Sequence, residues 1–193
     1  MLRDILFRGF DLDTKSWHYG AYIKHINATP CIFSSEAEWE KWHEEHTEYL
    51  IAFDGFSDWW MPRGIKVANK IDPKSLGQDS GWRDKNCKSI YEGDILKIET
   101  EDGETAVVIC KYGKIKRKLL PELDLIPTLE ELLNSIYKSP VVEIDGFYFE
   151  IEDGTNTYPI VCNHLGKHDC LSMEIIGNIY ENEDLVKEFF KVD

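Results

Sequence analysis

IDPKSLGQDSGWRDKNCKSIYEGDIL, residues 71–96, is a run of turn-forming residues that leads into a β-strand. Pro73 keeps the residue before it out of the helical region, which favours an extended residue followed by a turn. Gly77 and Gly81 predict positions where the backbone needs a positive φ or a close approach. The polar run at 84–87 has the composition of a tight turn.

Apolar residues return on both sides of Glu92-Gly93-Asp94, and this pattern predicts entry into a strand. Two interpretations of the whole stretch stay open. It is either an ordered surface loop that feeds a sheet, or a functional surface carried by such a loop.

The same residues resemble the central motif of the YopX family, whose members are small proteins encoded by bacteriophages and prophages. Residues 3–9 with residues 17–20 resemble the opening of that family, and residues 174–182 resemble its closing motif. Because the three matches are collinear, the resemblance implies a shared fold and a phage or prophage origin, and it implies no catalytic residues. The motif positions are Gly77, Gln78, Gly81, Asp84, Asn86, Tyr91, Glu92, Gly93, Asp94, Gly177 and Asn178.

The chain departs from the family pattern at three places in this stretch. Cys87 stands where the family usually has glycine, so we expect a differently shaped turn there. Trp82 replaces an aliphatic residue, and Asp79-Ser80 replaces an aromatic–threonine pair. Residues 111–170 match none of the three motifs.

Composition and charge limit the class of protein. Of 193 residues, 42% are hydrophobic and 30% charged, which is typical of an ordered chain. No apolar run approaches the roughly 20 residues of a membrane helix, and five irregularly spaced cysteines argue for a reducing compartment. We therefore expect a cytoplasmic protein of a bacterial host cell. The net charge of −14 disfavours broad nucleic-acid binding, because phosphate repels a negative surface.

The pattern of short strands predicts a mainly β, α+β fold: a β-rich barrel or sandwich, with an SH3-like barrel as one form of the C-terminal part, and two or three helical insertions. We expect an N-terminal hairpin-plus-helix region at 1–70 and a β-rich domain at 71–193, or one continuous domain. Predicted strands are 5–10, 17–23, 95–100, 105–112, 141–144, 147–152, 158–162 and 175–180, with turns at 145–146 and 153–154. Residues 49–53 are a further short apolar stretch. Predicted helices are 34–49, 127–137 and 184–190.

A short loop concentrates residues that bind zinc. Cys162, His164, His168 and Cys170 are ligand types that Zn²⁺ prefers in a tetrahedral site. Structural zinc sites usually take paired ligands from two separate arms, whereas these four lie in one loop. The sequence therefore favours an accidental cluster and no cofactor, and leaves zinc as the alternative.

Two further constellations are candidates for binding. Trp39, Trp42 and His46 share one face of the first predicted helix, beside His43; we expect this aromatic stripe to pack on the sheet, and a partner surface is the alternative. A basic segment concentrates cations within an acidic chain. It is either a solvated hairpin end or a surface that contacts nucleic acid or an acidic partner. Its residues are Lys111, Lys114, Lys116, Arg117 and Lys118.

No nucleotide-binding, zinc-protease or nucleophile-elbow motif is present, which disfavours an enzyme without excluding one. The sequence favours a non-enzymatic protein–protein interaction module that self-associates, with a host or phage protein as a further partner. Three alternatives stay open: nucleic-acid binding through residues 111–118, an acidic mimic that inhibits a host nucleic-acid-binding protein, and a zinc-dependent protein using residues 162–170.

Overall fold

The computed structural model describes residues 5–30, 32–55, 64–99, 105–118, 141–151, 156–157 and 172–190. The chain divides into two compact units, Met1–Gly81 and Trp82–Asp193. The boundary that we predict near residue 70 stays a prediction. Within the described residues, no helix is long and apolar enough to cross a membrane.

The first unit is built on an antiparallel sheet with the strand order β4-β3-β2-β1-β5, so that β2 lies in the middle. The strand β5 runs two residues past the end of the unit. The elements are β1 Phe7–Asp11, β2 Ser16–Ile26, α1 Glu36–His46, β3 Thr47–Gly55, β4 Gly64–Lys70, a 3₁₀ turn Pro73–Ser75, and β5 Gly77–Arg83.

The N-terminal hairpin β1–β2 is confirmed. Its turn is closed by Asp11, whose Oδ1 accepts hydrogen bonds from the N–H groups of Asp13 (2.8 Å) and Thr14 (3.1 Å). The Oδ2 atom of Asp11 lies 3.3 Å from Nε2 of His18 on β2. The hydrogen bond from the Thr14 N–H is the main cause that lowers the pKa of Asp11 from its usual value.

The start of the 71–96 stretch packs on β1. Ile71 is 4% exposed and fills the space above Gly9, where an added Cβ would lie 2.3 Å from Ile71 Cδ1. Ser75 Oγ accepts a hydrogen bond from the N–H of Phe10 (2.7 Å), and the N–H of Asp72 donates to the carbonyl of Phe10 (2.9 Å). Residues 71–75 therefore belong to the sheet's packing, and glycine is required at position 9.

Helix α1 is confirmed, and its N-cap is the one that the sequence predicts. Ser35 Oγ accepts a hydrogen bond from the N–H of Glu38 at 3.3 Å, while Oε2 of Glu38 accepts one from the N–H of Ser34. Thr47 ends the helix, because its Oγ1 donates to the carbonyl of His43 at 2.5 Å. No residue of α1 is buried.

The second unit holds an antiparallel sheet with the order β10-β9-β8-β7-β11. One face packs Leu96, Val108 and Phe149 into the larger core cluster; the opposite face packs Ile95, Val107 and Ile109 against α2 and Phe190. The elements are β6 Ser89–Tyr91, β7 Asp94–Glu99, β8 Thr105–Lys118, β9 Val141–Ile151, β10 Asn156–Thr157, β11 Met173–Asn178 and α2 Glu183–Phe189.

The mainly β prediction is confirmed, with two helices among the described residues. As described, the strands pair as open sheets and their pairings close no barrel. The turn predicted at 145–146 is wrong: Gly146 pairs with Gly113 and Asp145 with Lys114, because the long β8 continues past them and extends β9. The predicted helix 127–137, strand 158–162 and turn 153–154 lie outside the described residues.

The loop interpretation of 77–83 is also wrong, because this segment is the strand β5. Its alternating polar residues hid the strand from sequence reasoning, yet Gly77 and Gln78 pair with Arg8 and Phe7 of β1. The strand β4 was not predicted either.

Candidate functional site

The carboxyl group of Asp84 organises the tight turn at the end of β5. Asp84 is fully buried, and its Oδ1 accepts hydrogen bonds from the N–H groups of Asn86 (2.8 Å) and Lys88 (2.9 Å). The backbone closes the same turn, since the N–H of Asp84 donates to the carbonyl of Lys88 at 2.9 Å. Cys87 has a φ of 62°, the left-handed conformation that favours glycine. The predicted turn at 84–87 is thus confirmed.

The Asp84 turn is bonded to β11, which lies about ninety residues away in the sequence. Asp84 Oδ2 accepts a hydrogen bond from the N–H of Ile175 at 3.3 Å, and the N–H of Lys85 donates to the carbonyl of Met173 at 2.9 Å. The Lys85 ammonium lies 2.6 Å from Glu174 Oε2, and its hydrogen bond lowers the pKa of Glu174. The turn therefore occupies backbone groups of β11 that would otherwise be open to another strand.

A second turn joins β6 to β7. Gly93 has a φ of 84°, its N–H donates to the carbonyl of Cys110 (2.7 Å), and its carbonyl accepts from the N–H of Ile179 (2.9 Å). The buried Asp94 uses Oδ2 to accept a hydrogen bond from the N–H of Tyr91 at 2.8 Å. Tyr91, Gly93 and Asp94 therefore fix the entry into β7, as the sequence predicts.

The closing motif forms the link between β11 and α2. Asn178 Oδ1 accepts hydrogen bonds from the N–H groups of Tyr180 (3.0 Å) and Glu181 (2.9 Å). Asn182 Oδ1 accepts one from the N–H of Asn178 at 3.1 Å, and a Cβ on Gly177 would lie 2.4 Å from that oxygen. Glycine is required at 177 because Asn182 must approach its backbone.

The remaining motif residues also have local roles. Gly81 has a φ of 82°, and its N–H donates to Oδ1 of Asp79 at 2.8 Å. Gly77 is buried, Gln78 and Glu92 are half-buried, and Asn86 is exposed. The hydrogen bonds given above for the motif positions join groups of the same chain, so we interpret the motif as a structural framework.

The basic segment lies on β8, where Lys111, Lys114 and Lys116 stand beside carboxylates of β9. Lys111 forms an ion pair with Glu150. Lys116 Nζ lies 3.7 Å from Glu143 Oε1. These carboxylates reduce the positive field that a phosphate backbone would need.

The other three cations of the segment, Lys114, Arg117 and Lys118, pair in register with Asp145, Val142 and Val141. Lys114 is exposed, and its cross-strand partner Asp145 is a further carboxylate. Contact with nucleic acid or a partner through this segment stays a prediction.

The zinc alternative lies outside the described residues, since these do not include Cys162, His164, His168 or Cys170. Among the residues that are described, no three His, Cys, Asp or Glu side chains are grouped so that they could hold a metal ion.

The aromatic stripe on α1 is not packed into a core, which corrects the expectation from sequence. Trp39 is 47% exposed, while Trp42 and His43 are only half-buried. The rings contact one another along the helix: Trp42 stacks on His46 with centroids 4.6 Å apart, and Trp39 lies 4.1 Å from His43. The amphipathic spacing was visible in the sequence, but the absence of burial required the tertiary structure.

A cavity of about 400 Å³ lies beside the C-terminal end of α1. Its walls come from β2, α1, β3, β4 and the start of the 3₁₀ turn, and they include Lys24, His43, Tyr49 and Lys70. Sequence reasoning missed this cavity, because residues between 24 and 73 meet there with no shared motif.

An apolar strip lies on the middle strand of the first unit, and sequence reasoning missed it too. Tyr19 (51% exposed), Ala21 and Ile23 (40% exposed) alternate along β2 and therefore share one face. Trp17 and Leu50 are half-buried on the same face, since Leu50 pairs with Ile23 in register. We call Tyr19, Ala21 and Ile23 the β2 strip.

Fold and site together define a mainly β protein of two units, with a hydrogen-bonded motif framework and exposed apolar surfaces. The family model described as YopX protein matches residues 6–187. Because this match covers nearly the whole chain, the protein belongs to the YopX family, and the resemblance of the three motifs is confirmed. The match includes residues 111–170, which the motifs leave out. No curated protein matches the chain.

Proposed function

We propose that this protein is a non-enzymatic protein–protein interaction module that self-associates through the β2 strip. Membership of the YopX family supports a phage or prophage origin and a role in the host cytoplasm. The proposal rests on one observation. The middle strand of the sheet, β2, exposes the apolar side chains of three alternate residues on one face. Tyrosine and isoleucine at such a place are the anchors that protein interfaces use.

The charge of the chain supports a second copy as the occupant. Two copies that each carry a net charge of −14 repel, so they can meet only through a patch with little charge of its own. The β2 strip itself is uncharged. On its face Arg8 pairs with Tyr19 in register and is buried over the Trp17 ring, while Lys70 and Glu48 form an ion pair at 3.4 Å. A symmetric contact between two such strips buries apolar area without bringing like charges together.

Sedimentation velocity or light scattering of Ile23→Lys tests the proposal. We expect the wild type to be a dimer or larger and Ile23→Lys to be a monomer. Leu12→Lys is the matched control, because Leu12 is 50% exposed in the β1–β2 turn and outside the strip. Both substitutions reduce the negative charge equally, so loss of association only in Ile23→Lys identifies the strip. A monomeric wild type, or equal effects of both variants, refutes the proposal.

A second surface favours a heterologous partner. Helix α1 carries five glutamates and one lysine around its exposed Trp39, so it fits a basic protein with an apolar pocket. This surface would serve the alternative that the protein is an acidic mimic of nucleic acid, because it would bind the basic surface of a host protein. Pull-downs from host lysate with wild type, Trp39→Ala and Leu12→Ala would test it. Support requires one identified basic protein that is lost only with Trp39→Ala; recovery by the wild type and both variants contradicts the assignment to α1.

A further inference from the structure

The cavity beside α1 has the volume of a small-molecule site. Its volume of about 400 Å³ lies within the range of about 300–1,000 Å³ that such sites occupy. Ile71 and Pro73 form its apolar part, and Ile71 is held rigidly because it packs on Gly9. The apolar part of the site is therefore preformed by the sheet.

Two lysines and an imidazole line this cavity in a strongly negative chain. Lys24 comes from β2, Lys70 from the end of β4, and His43 from α1. Lys24 Nζ lies 5.9 Å from the centroid of the Tyr49 ring, a cation–π contact that positions the ammonium group. Lys70 Nζ lies 3.4 Å from Glu48 Oε1. Glu44 adds a carboxylate to the cavity wall.

The geometry points to a binding site for a small phosphate ester that carries a flat, unsaturated ring, the chemistry of a mononucleotide. Lysine ammonium groups bind phosphate as point charges. Lys24 supplies one such group, and Lys70 supplies a second that Glu48 shares. The ring of Tyr49 stacks on Tyr22, with centroids 6.4 Å apart, and adds an aromatic wall for a flat ring of the ligand. The Glu44 carboxylate can accept a hydrogen bond from an N–H or O–H group of the ligand.

Lys24 and Tyr49, the residues on which the ligand argument depends most, lie away from the β2 strip, whereas Lys70 lies on the face of the strip. Lys24 and Tyr49 are opposite each other in the β2–β3 register, and alternation places them on the face of the sheet that the β2 strip does not occupy. A bound ligand and a second copy of the chain can therefore be tested independently.

Isothermal titration calorimetry with AMP, GMP and UMP at low salt tests the proposal, with adenosine and inorganic phosphate as comparison ligands. We expect saturable binding of at least one mononucleotide, weaker binding of adenosine and of phosphate alone, and weakening by salt. Lys24→Gln should weaken binding about tenfold or more, the loss of one charge-assisted hydrogen bond. Lys41→Gln is the control, since Lys41 is an exposed lysine of α1 outside the cavity.

Circular dichroism should show that both variants keep the wild-type spectrum. Four outcomes overturn the proposal: no saturable binding of any mononucleotide, adenosine binding as tightly as AMP, phosphate binding as tightly as AMP, or equal losses with Lys24→Gln and Lys41→Gln. The oligomeric state of Ile23→Lys does not enter any of these outcomes.

Discussion

Removing the carboxyl group of Asp84 should cause the largest loss of stability of any single polar substitution in the family motif. Asp84→Ala deprives three N–H groups of their acceptor: Asn86 and Lys88 in the turn, and Ile175 on β11. A buried donor left without a partner costs about 1–3 kcal/mol. The amides of the turn can regain water in part, because Asn86 and Lys88 are exposed.

We therefore expect Asp84→Ala to lower the free energy of unfolding by about 3–5 kcal/mol. This is a large fraction of the roughly 5–15 kcal/mol that stabilises a typical domain. Asp84→Asn keeps one oxygen acceptor but turns an NH₂ group towards a backbone donor, so we expect a loss of about 2 kcal/mol.

Urea denaturation followed by circular dichroism measures these losses, and amide hydrogen exchange locates them. The N–H of Ile175 should lose protection in Asp84→Ala, because its acceptor has gone. The control is Asp72→Ala, which removes an exposed acceptor of the Lys74 N–H and should cost no more than about 1 kcal/mol. A change below about 1 kcal/mol in Asp84→Ala, or unchanged protection of Ile175, refutes the view that this carboxyl group joins the two motifs.

Three further predictions concern turns. Cys87→Gly should stabilise the protein by about 0.5–1 kcal/mol in urea denaturation, because glycine avoids the left-handed strain at φ 62°, whereas Cys87→Ala should show no such gain. Gly177→Ala should cost about 1–3 kcal/mol through the clash with Asn182 Oδ1, and less when Asn182→Ala is present; additive losses in this double-mutant cycle contradict the clash. Asp11 has a lowered pKa in the folded state, so its contribution is complete above the unfolded pKa and is lost as pH falls below about 4. Asp11→Asn should therefore flatten the acid side of the stability–pH curve, and an unchanged acid limb would show that Asp11 does not contribute.

Sequence patterns were sufficient for the elements whose cause is local. The hairpin β1–β2, the Ser35 cap of α1 and the turn at 84–87 each depend on residues within a few positions of one another. The β5 strand was missed because its partner residues on β1 supply the reason for its extension. The turn predicted at 145–146 failed because cross-strand pairing with β8 outweighs the local preference of Asp-Gly.

For the candidate sites, too, the sequence showed some features and the tertiary structure showed others. The sequence showed which residues belong to the family motifs, and it showed the aromatic spacing of α1. It did not show that Asp84 reaches Ile175, that Trp39 is exposed, or that the β2 strip lies open at the middle of a sheet.

By itself, the sequence determined the mainly β class, the family and most turns, since side-chain alternation and turn chemistry act between near neighbours. Only the tertiary structure decided the roles of the motif residues and the place of the cavity. Sheet order brings together side chains such as Lys24, His43 and Lys70 from separate elements, and no local pattern encodes that order. The physical reason is that exposure and long-range hydrogen bonds are properties of the packed chain.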